Sequence, residues 1–301
     1  MDSKRNILRG KSGVQMLQGN AKSSFSSFIL IILIVSTVIF LITTVIFLAL
    51  YIKEKNNNSQ DSKKSDIISL NDESRYIPIL SRISETGGAY LNRGKHDILN
   101  SKYYNFVDIF NEKSSGSLIL LERFKTYQQT SEYSCGLASL IMAAYYIDHR
   151  ILNETDLYIK AGTNENGTNP HNLEKVISDL GYTYESKFNF SDEILPSRDE
   201  ETFSEYIKES LKNKEPIIVL SNDWGGHYSV IIGYDDMGTE GYLDDDVLIL
   251  ADPYDTSDHS CDGYTIFSYE RYYAQMMVTV FDIEGQDYYF LKLNRKNSDN
   301  N

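Results

Sequence analysis

The pattern of apolar and polar positions first marks a long apolar run near the amino terminus. Residues 28–51, FILIILIVSTVIFLITTVIFLALY, contain no charged residue. A helix of this length can span the hydrocarbon core of a bilayer, and the run is longer than the apolar part of a secretory signal. The pattern therefore predicts a single transmembrane helix over residues 28–51.

The segments on either side of this run differ in composition and divide the chain further. Residues 1–27 form a short basic segment, and residues 52–65 are polar and charged, which is typical of a flexible linker. Residues 66–117 mix short apolar runs with polar residues, and we expect an extension packed on the domain that follows. That domain is predicted over residues 118–285, followed by a C-terminal strand and polar tail, 286–301.

Two features of the sequence bear on the orientation of the predicted span. Lysine and arginine are slightly more frequent before it than after it, which favours a cytoplasmic amino terminus. Glycosylation sequons suit a domain outside the cell, and they begin at Asn57, Asn153, Asn166 and Asn189. The sequence therefore favours a single-pass membrane protein with an extracytoplasmic carboxyl domain.

The carboxyl half begins with helical periodicity. A helix with one buried face and Ser134 as its N-cap is predicted from Cys135, because apolar residues recur at i, i+3, i+4 and i+7. A second helix follows Pro170 and ends before Gly181, and a third begins near Glu200. The apolar positions of the first helix are Leu137, Leu140, Ile141 and Ala144.

After Pro216 the period changes to that of strands. Short β-branched and apolar runs are separated by turn residues, which predicts an antiparallel sheet after the helices and hence an α+β fold. The runs are PIIVLS (216–221), HYSVIIGYD (227–235), VLILADP (247–253), MMVTVFDI (276–283) and YYFLKL (288–293).

Composition and charge limit the function classes. The 301 residues are 41% hydrophobic, enough for a sizeable core, and the net charge of −14 argues against a nucleic-acid partner. No phosphate-binding loop and no Cys-X-X-Cys pair is present, so neither an organic cofactor nor a metal is predicted. The two cysteines, Cys135 and Cys261, leave a single disulfide as an alternative. The pattern carries no signal for an oligomeric state.

Four residues in the carboxyl half suggest acyl-transfer chemistry. A helix N-terminus and a nearby imidazolium lower the pKa of a cysteine, so Cys135 is a candidate nucleophile and His227 its candidate base. If Tyr234 pairs with Asp245, the same register places His227 directly opposite Asp252, with Cβ atoms about 4.5–5.5 Å apart. Asp252 would then orient the imidazole, while the Gln129 amide and the backbone N–H at the helix start would bind an oxyanion.

Each of these residues also has an ordinary structural interpretation. A lone cysteine at the start of an apolar helix is more often a small buried hydrophobe, and Asp252-Pro253 is usually a turn. His227 is more often a strand-end residue with a satisfied hydrogen bond, and Gln129 alone indicates nothing. The occurrence of all four in this order and on these elements favours the catalytic interpretation.

At these residues the chain resembles the papain-like cysteine peptidases, and in particular the peptidase C39-like domains related to double-glycine leader peptidases. The resemblance implies a papain-like fold in which Cys135 is the nucleophile, His227 the general base, Asp252 the orienting acid and Gln129 the oxyanion-hole side chain. A peptide or protein would be the substrate. The matching segments are Gln129 six residues before Cys135, CGLASLIMAAYY, AGTNENGTNPHNLEKVISDLGY, EPIIVLSN, GGHYSVIIGYDD and LILADPYD.

The resulting prediction is a membrane-anchored cysteine peptidase that forms a thioester with its substrate. Two alternatives remain open at this point. The same intermediate could be resolved by an amine, which would make the protein a peptidyl transferase. The scaffold could also bind peptides without cleaving them.

Overall fold

The chain divides into two compact units, Met1–Ile68 and Ser69–Asn301. In the first unit, residues 33–37 and 39–48 are helical. None of the helices in the described part of the chain has both the length and the hydropathy that a bilayer span requires. The described residues therefore do not support the predicted span over 28–51. The other residues of that span, 28–29, 31–32, 38 and 49–51, lie outside the described residues. The computed structural model describes residues 30, 33–37, 39–48, 73–92, 101–239, 241–277 and 288–294.

The described residues of the second unit form five α-helices, and the three predicted from sequence are confirmed. The first has a more extensive contact surface than predicted, because every residue from Cys135 to Ala144 is buried rather than one face alone. The sheet covers one side of this helix, and two later helices pack against it as well. The five are α1 (Cys135–Asp148), α2 (Glu154–Ala161), α3 (Pro170–Asp179), α4 (Glu200–Lys212) and α5 (Tyr269–Met276).

The strands described in this unit form one antiparallel sheet, which confirms the α+β class. Its main path runs in the order β2-β7-β3-β4-β5-β6, and β1 pairs with the far end of β4. The strands are β1 (Leu118–Leu120), β2 (Thr183–Ser186), β3 (Ile217–Ser221), β4 (His227–Asp235), β5 (Val247–Ala251), β6 (Tyr264–Ser268) and β7 (Tyr289–Asn294).

The strand prediction is accurate for four of these elements and wrong at one position. The predicted runs at 216–221, 227–235, 247–253 and 288–293 correspond to β3, β4, β5 and β7. The prediction for 276–283 is wrong where it begins, because Met276 is the last residue of α5. Tyr269, Tyr272 and Tyr273 of α5 are buried, so the segment packs its aromatic side chains as a short helix instead of pairing as a strand. Residues 278–283 lie outside the described residues.

A segment from the predicted extension, residues 73–92, runs along the chain that leads into α1, and we call it the N-terminal strap. Near its start, the Ile77 N–H donates to the Thr126 carbonyl at 2.9 Å. Further along, the Ser84 N–H donates to the Thr130 carbonyl at 3.1 Å, and the Tyr90 N–H to the Gln129 carbonyl at 3.3 Å. The strap therefore holds the outer side of the segment that precedes Cys135.

Candidate active site

Cys135 is the first residue of α1, and its side chain is buried. Ser134 is the N-cap residue as predicted, although its hydroxyl makes no capping bond to the helix. It accepts a hydrogen bond from the Ser131 Oγ at 2.8 Å instead. The thiol therefore lies at the positive end of the helix dipole, where a negative charge is stabilised.

His227 and Asp252 are in direct contact. The imidazole Nε2 lies 2.7 Å from the Asp252 Oδ1, and the two side chains are only 8% and 13% exposed. The same Oδ1 accepts the N–H of Tyr254 at 2.8 Å. Because Nε2 is occupied by the carboxylate, Nδ1 is the ring nitrogen that remains for the thiol.

The predicted register that brought these two residues together is wrong. Tyr234 pairs with Leu248 rather than with Asp245, and His227 pairs with Ser221 on the other neighbouring strand. Since Val230 pairs with Ala251, Asp252 follows on β5 at a position diagonal to His227. Diagonal neighbours are about 7–8 Å apart, within reach of a histidine and an aspartate that lean towards each other.

A β-bulge and a long turn account for this difference in register. The pairing of β4 with β5 shifts between Ile231 and Gly233, and β5 begins only at Val247. A side chain at Gly233 would lie 2.8 Å from the Leu120 Cδ1, so glycine allows β1 to approach at the bulge. Almost every residue of β4 is buried, so its sequence shows no alternation of apolar and polar residues from which such a bulge could be predicted.

The pKa of the His227 imidazole is raised well above its ordinary value. Burial acts to lower it, but the charge and hydrogen bond of Asp252 and then the hydrogen bond and charge of Cys135 outweigh burial. The His227 side chain thus interacts with both other members of the predicted triad. The arrangement favours the protonated form of the imidazole beside Cys135.

Gln129 is fully buried in the segment before α1. Its Nε2 donates to the Ser131 carbonyl at 2.7 Å, and its backbone N–H donates to the Pro253 carbonyl at 3.1 Å. Because only the NH₂ group of a glutamine amide can donate to a carbonyl, the bond to Ser131 fixes which way the Gln129 amide is turned. The second N–H of the same group is the one left for a ligand. Gln129 also links the segment before Cys135 to Pro253, the residue that follows Asp252.

A cleft of about 610 Å³ opens beside the thiol. Trp224 stands at its edge with 65% of its surface exposed, and its ring centroid lies 5.7 Å from that of His227. It also contacts Tyr254 edge-on, with centroids 5.2 Å apart. Trp224 therefore covers the imidazole on the solvent side. The cleft is lined chiefly by Glu132, Tyr133, Cys135, Thr168, Trp224 and Tyr228.

Gly136, the residue after Cys135, occupies a position with little room for a side chain. A Cβ at Gly136 would lie 3.1 Å from the Tyr228 Cδ2 and 3.2 Å from the Thr168 Cβ. The Tyr228 hydroxyl donates to the Thr168 carbonyl at 3.1 Å, so this wall of the cleft is rigid. Any larger residue here would have to displace Tyr228 or Thr168 slightly from the start of α1.

The sequence interpretation gave no role to Glu154, a buried charged residue at the start of α2. Its carboxylate accepts hydrogen bonds from the segment between Tyr127 and Ser134. Apolar periodicity gives no signal for it, because α2 buries few residues. The acidic residue directly after the N-cap Asn153 was the only local clue.

The alternative uses of the cysteines and acidic residues find no support in the geometry. No disulfide joins Cys135 to Cys261. In the part of the chain that the structure describes, no group of three or more His, Cys, Asp or Glu side chains is arranged to hold a metal ion. The Asp255 carboxylate near Cys261 instead accepts the N–H groups of Ser257 and Gly263.

Comparison with known proteins gives one family and several solved structures. The model of the Peptidase_C39 like family matches residues 121–279. The peptidase domain of Streptococcus ComA, a bi-functional ABC transporter involved in quorum sensing, is 19% identical with a TM-score of 0.34, and the match covers 57% of this chain and 98% of that one. A double glycine motif protease from an AMS/PCAT transporter, solved with its leader peptide, is 17% identical with a TM-score of 0.33, covering 56% and 91%. No curated protein sequence matches the chain.

Proposed function

The chain belongs to the Peptidase_C39 like family, and on that premise we propose that it is a cysteine peptidase that cleaves an amide bond of a peptide substrate. The observation that carries this proposal is the contact between the His227 Nε2 and the Asp252 Oδ1 at 2.7 Å, on an imidazole that also interacts with Cys135. An imidazole held between a thiol and a carboxylate is the arrangement that activates a nucleophilic cysteine.

In the proposed reaction, the Cys135 thiolate attacks the carbonyl carbon of the scissile amide. The carbonyl π electrons move to oxygen, and the tetrahedral intermediate collapses as the His227 imidazolium gives its proton to the leaving amine. A thioester joins the Cys135 Sγ to the acyl half of the peptide. The neutral imidazole then takes a proton from water, whose oxygen attacks the thioester, and the acid product leaves with regeneration of the thiolate.

The oxyanion formed at each step needs hydrogen-bond donors. The backbone N–H at the start of α1 and the second N–H of the Gln129 amide are the donors that we propose. The bond from the Gln129 Nε2 to the Ser131 carbonyl holds that amide in a fixed orientation before the substrate arrives. Donors that need no reorganisation stabilise a transition state more than mobile ones do.

Asp252 has the role of an orienting acid in this proposal. Its Oδ1 fixes which imidazole nitrogen faces the thiol, and its charge stabilises the imidazolium. The bond from the Tyr254 N–H in turn holds the carboxylate in place. None of these steps requires a group that the chain does not supply.

The pH dependence of iodoacetamide labelling at Cys135 tests the proposed ion pair on the full-length chain. We expect Cys135 to label rapidly well below pH ~8.5, the ordinary pKa of a thiol, and His227→Ala to abolish that advantage. Cys261 provides the internal reference. Labelling of Cys135 no faster than that of Cys261 would contradict the proposal.

Cleavage itself is tested with a peptide library that includes double-glycine leader sequences, because the sequence motifs resemble those of leader peptidases. Hydrolysis that is lost in Cys135→Ala supports the peptidase. Transfer of the acyl group to an added amine in preference to water would assign the alternative transferase activity. Saturable peptide binding without turnover would instead identify a binding module.

We further propose that residues 28–51 attach the protein to a membrane with its carboxyl domain outside the cytoplasm. This proposal rests on the uncharged run and the distribution of basic residues in the sequence. Recovery of the full-length chain in the membrane fraction, and release on deletion of 28–51, is the expected result. Protease accessibility of the carboxyl domain in intact cells tests its orientation, and a soluble full-length chain would refute the anchor.

A further inference from the structure

Glu154 is the first residue of α2, and it is fully buried. A buried carboxylate is costly unless donors surround it, because it loses its hydration. Burial raises the pKa of this group, while hydrogen bonds from Ser134, Thr130 and Tyr127 act in the opposite direction. The donors around Glu154 therefore determine whether the fold can tolerate it.

All of these donors come from one segment, residues 127–134. The Tyr127 hydroxyl donates to the Oε2 at 2.9 Å, and the Thr130 Oγ1 donates to the same oxygen at 2.6 Å. The Thr130 backbone N–H donates to the Oε1 at 3.1 Å. The Ser134 side chain also hydrogen-bonds the carboxylate. We call residues 127–134 the nucleophile loop, because Cys135 follows directly.

The nucleophile loop thus has two sets of contacts. Its inner side surrounds the Glu154 carboxylate, and its outer side is bonded to the N-terminal strap. Thr130 takes part on both sides, since its carbonyl accepts the Ser84 N–H while its N–H and hydroxyl donate to Glu154. Removing the charge at position 154 would leave several converging donors around a weaker acceptor, and the loop would have to rearrange.

Two groups of the proposed oxyanion site depend on this loop. Gln129 lies between Tyr127 and Thr130, both of which contact Glu154. Ser134 is the N-cap residue of α1, and its position sets where the first N–H groups of that helix point. Neither His227 nor Asp252 belongs to the loop, so the thiolate–imidazolium pair does not depend on it in the same way.

We propose that Glu154 is a positioning residue for the oxyanion donors, which acts through the nucleophile loop on the Gln129 amide and the first turn of α1. This inference rests on the proposed peptidase function. It assigns to Glu154 an effect on acyl transfer and little effect on the nucleophilicity of Cys135, because alkylation by iodoacetamide forms no oxyanion while attack on an amide does.

Glu154→Gln in the full-length chain separates these two effects. The amide keeps the shape of the side chain but replaces one acceptor oxygen with a donor that faces other donors. We expect kcat for peptide cleavage to fall about 10-fold to 100-fold, somewhat less than the roughly 10²-fold to 10³-fold cost of removing an oxyanion donor outright. KM and the pH profile of Cys135 alkylation should stay within about twofold of wild type. Circular dichroism and thermal unfolding verify that the fold is retained.

Glu185→Gln is the matched control, because the Glu185 Oε1 also accepts a tyrosine hydroxyl, that of Tyr206, at 2.9 Å. Glu185 lies on β2 at the edge of the sheet, and its substitution should leave kcat unchanged. Tyr127→Phe removes a single donor and leaves the charge, so it should reproduce a smaller fall in kcat even if Glu154→Gln does not fold.

The outcomes distinguish this inference from the proposed function. A wild-type chain with no turnover refutes the peptidase and the role of Glu154 together. Turnover in the wild type that neither Glu154→Gln nor Tyr127→Phe reduces refutes the role of Glu154 alone. A parallel loss of kcat and of Cys135 alkylation would identify Glu154 as a structural support of the whole site and would also refute the positioning role.

Discussion

His227 and Asp252 make a 2.7 Å contact although neither is the strand partner of the other. The imidazole leans along the sheet from the first residue of β4 to a carboxylate just beyond the end of β5. The Asp252 N–H donates to the Gly263 carbonyl at 2.9 Å, which holds this end of β5 beside β6. A side-chain pair formed on the diagonal depends on how firmly each residue is held, and this makes it sensitive to substitution.

Asp252→Asn and Asp252→Ala should reduce activity to different extents. Asparagine keeps an oxygen that can accept from the imidazole and from the Tyr254 N–H, but it removes the charge that raises the pKa of His227. We expect kcat/KM to fall about 10-fold for Asp252→Asn, because Cys-His-Asn sites are also catalytic, and about 100-fold or more for Asp252→Ala. Steady-state cleavage of one peptide by both variants measures this, and equal losses would show that only the charge matters.

The raised pKa of His227 predicts a defined dependence of stability on pH. In the folded chain the imidazole binds its proton more tightly than in the unfolded chain, where its pKa is about 6.5. Its contribution to the free energy of unfolding is therefore fully present below pH ~6.5 and is lost as the pH rises through the folded-state value.

Urea unfolding of wild type and His227→Gln from pH 5.5 to 9 tests that dependence. The stability difference between the two proteins should be largest at the acidic end and should shrink as the pH rises. A difference that grows with pH would mean that His227 is buried in its neutral form and is not paired with Asp252 and Cys135.

Gly88→Ala tests whether the N-terminal strap controls the nucleophile loop. Gly88 has a φ of +99°, and a Cβ there would lie 2.6 Å from the Thr130 carbonyl carbon and 2.7 Å from the Ser131 nitrogen. Both are backbone atoms of the nucleophile loop, so the loop itself must shift to make room for the added Cβ. We expect the free energy of unfolding to fall by about 1–3 kcal/mol, and kcat to fall with it.

Gly116→Ala is the control for that substitution. Gly116 also has a positive φ, +58°, but no heavy atom lies within 4 Å of its added Cβ. It should lose only about 0.5–1 kcal/mol for the backbone conformation and keep full activity. Equal effects at the two glycines, measured by chemical unfolding and peptide cleavage, would mean that the strap does not press on the loop.

Trp224→Gly should weaken function without weakening the fold. Trp224 adopts a φ of +48°, which a bulky residue rarely does, and 65% of its side chain is exposed. Glycine relieves the backbone cost and removes the cover of His227, so we expect unchanged or higher stability and a several-fold lower kcat/KM. Trp224→Ala removes the same ring but keeps most of the strain. If both variants retain wild-type kcat/KM, the ring does not contribute to substrate binding or to shielding of the imidazole.

The sequence was sufficient to predict the elements that carry the candidate site but not how they fit together. Cys135 at a helix start and His227 at a strand start were predictable because capping and apolar runs are local signals. The register between β4 and β5 was not, because it shifts between Ile231 and Gly233, where Leu120, a residue far away in sequence, packs against the glycine.

The role of Glu154 and the path of the N-terminal strap were not predicted, for a related reason. α2 has few apolar positions, and the buried carboxylate is stabilised by donors some 20 or more residues earlier in the chain, from Tyr127 to Ser134. The strap contacts residues 126–132 through its own backbone N–H groups, which carry no residue-specific signal. Interactions of this kind appear only once the chain is folded.

The position of β7 has a consequence for the order in which the protein matures. β7, Tyr289–Asn294, pairs with β2 on one side and β3 on the other, so it fills the gap between strands made much earlier. During synthesis, the sheet lacks this interior strand until residues 289–294 have left the ribosome. Until then, the edges of β2 and β3 that pair with β7 must remain unpaired. Cys135, His227 and Asp252 all precede β7 in the chain, so β3, the neighbour of the strand that carries His227, gains its second partner only after these residues have been synthesised.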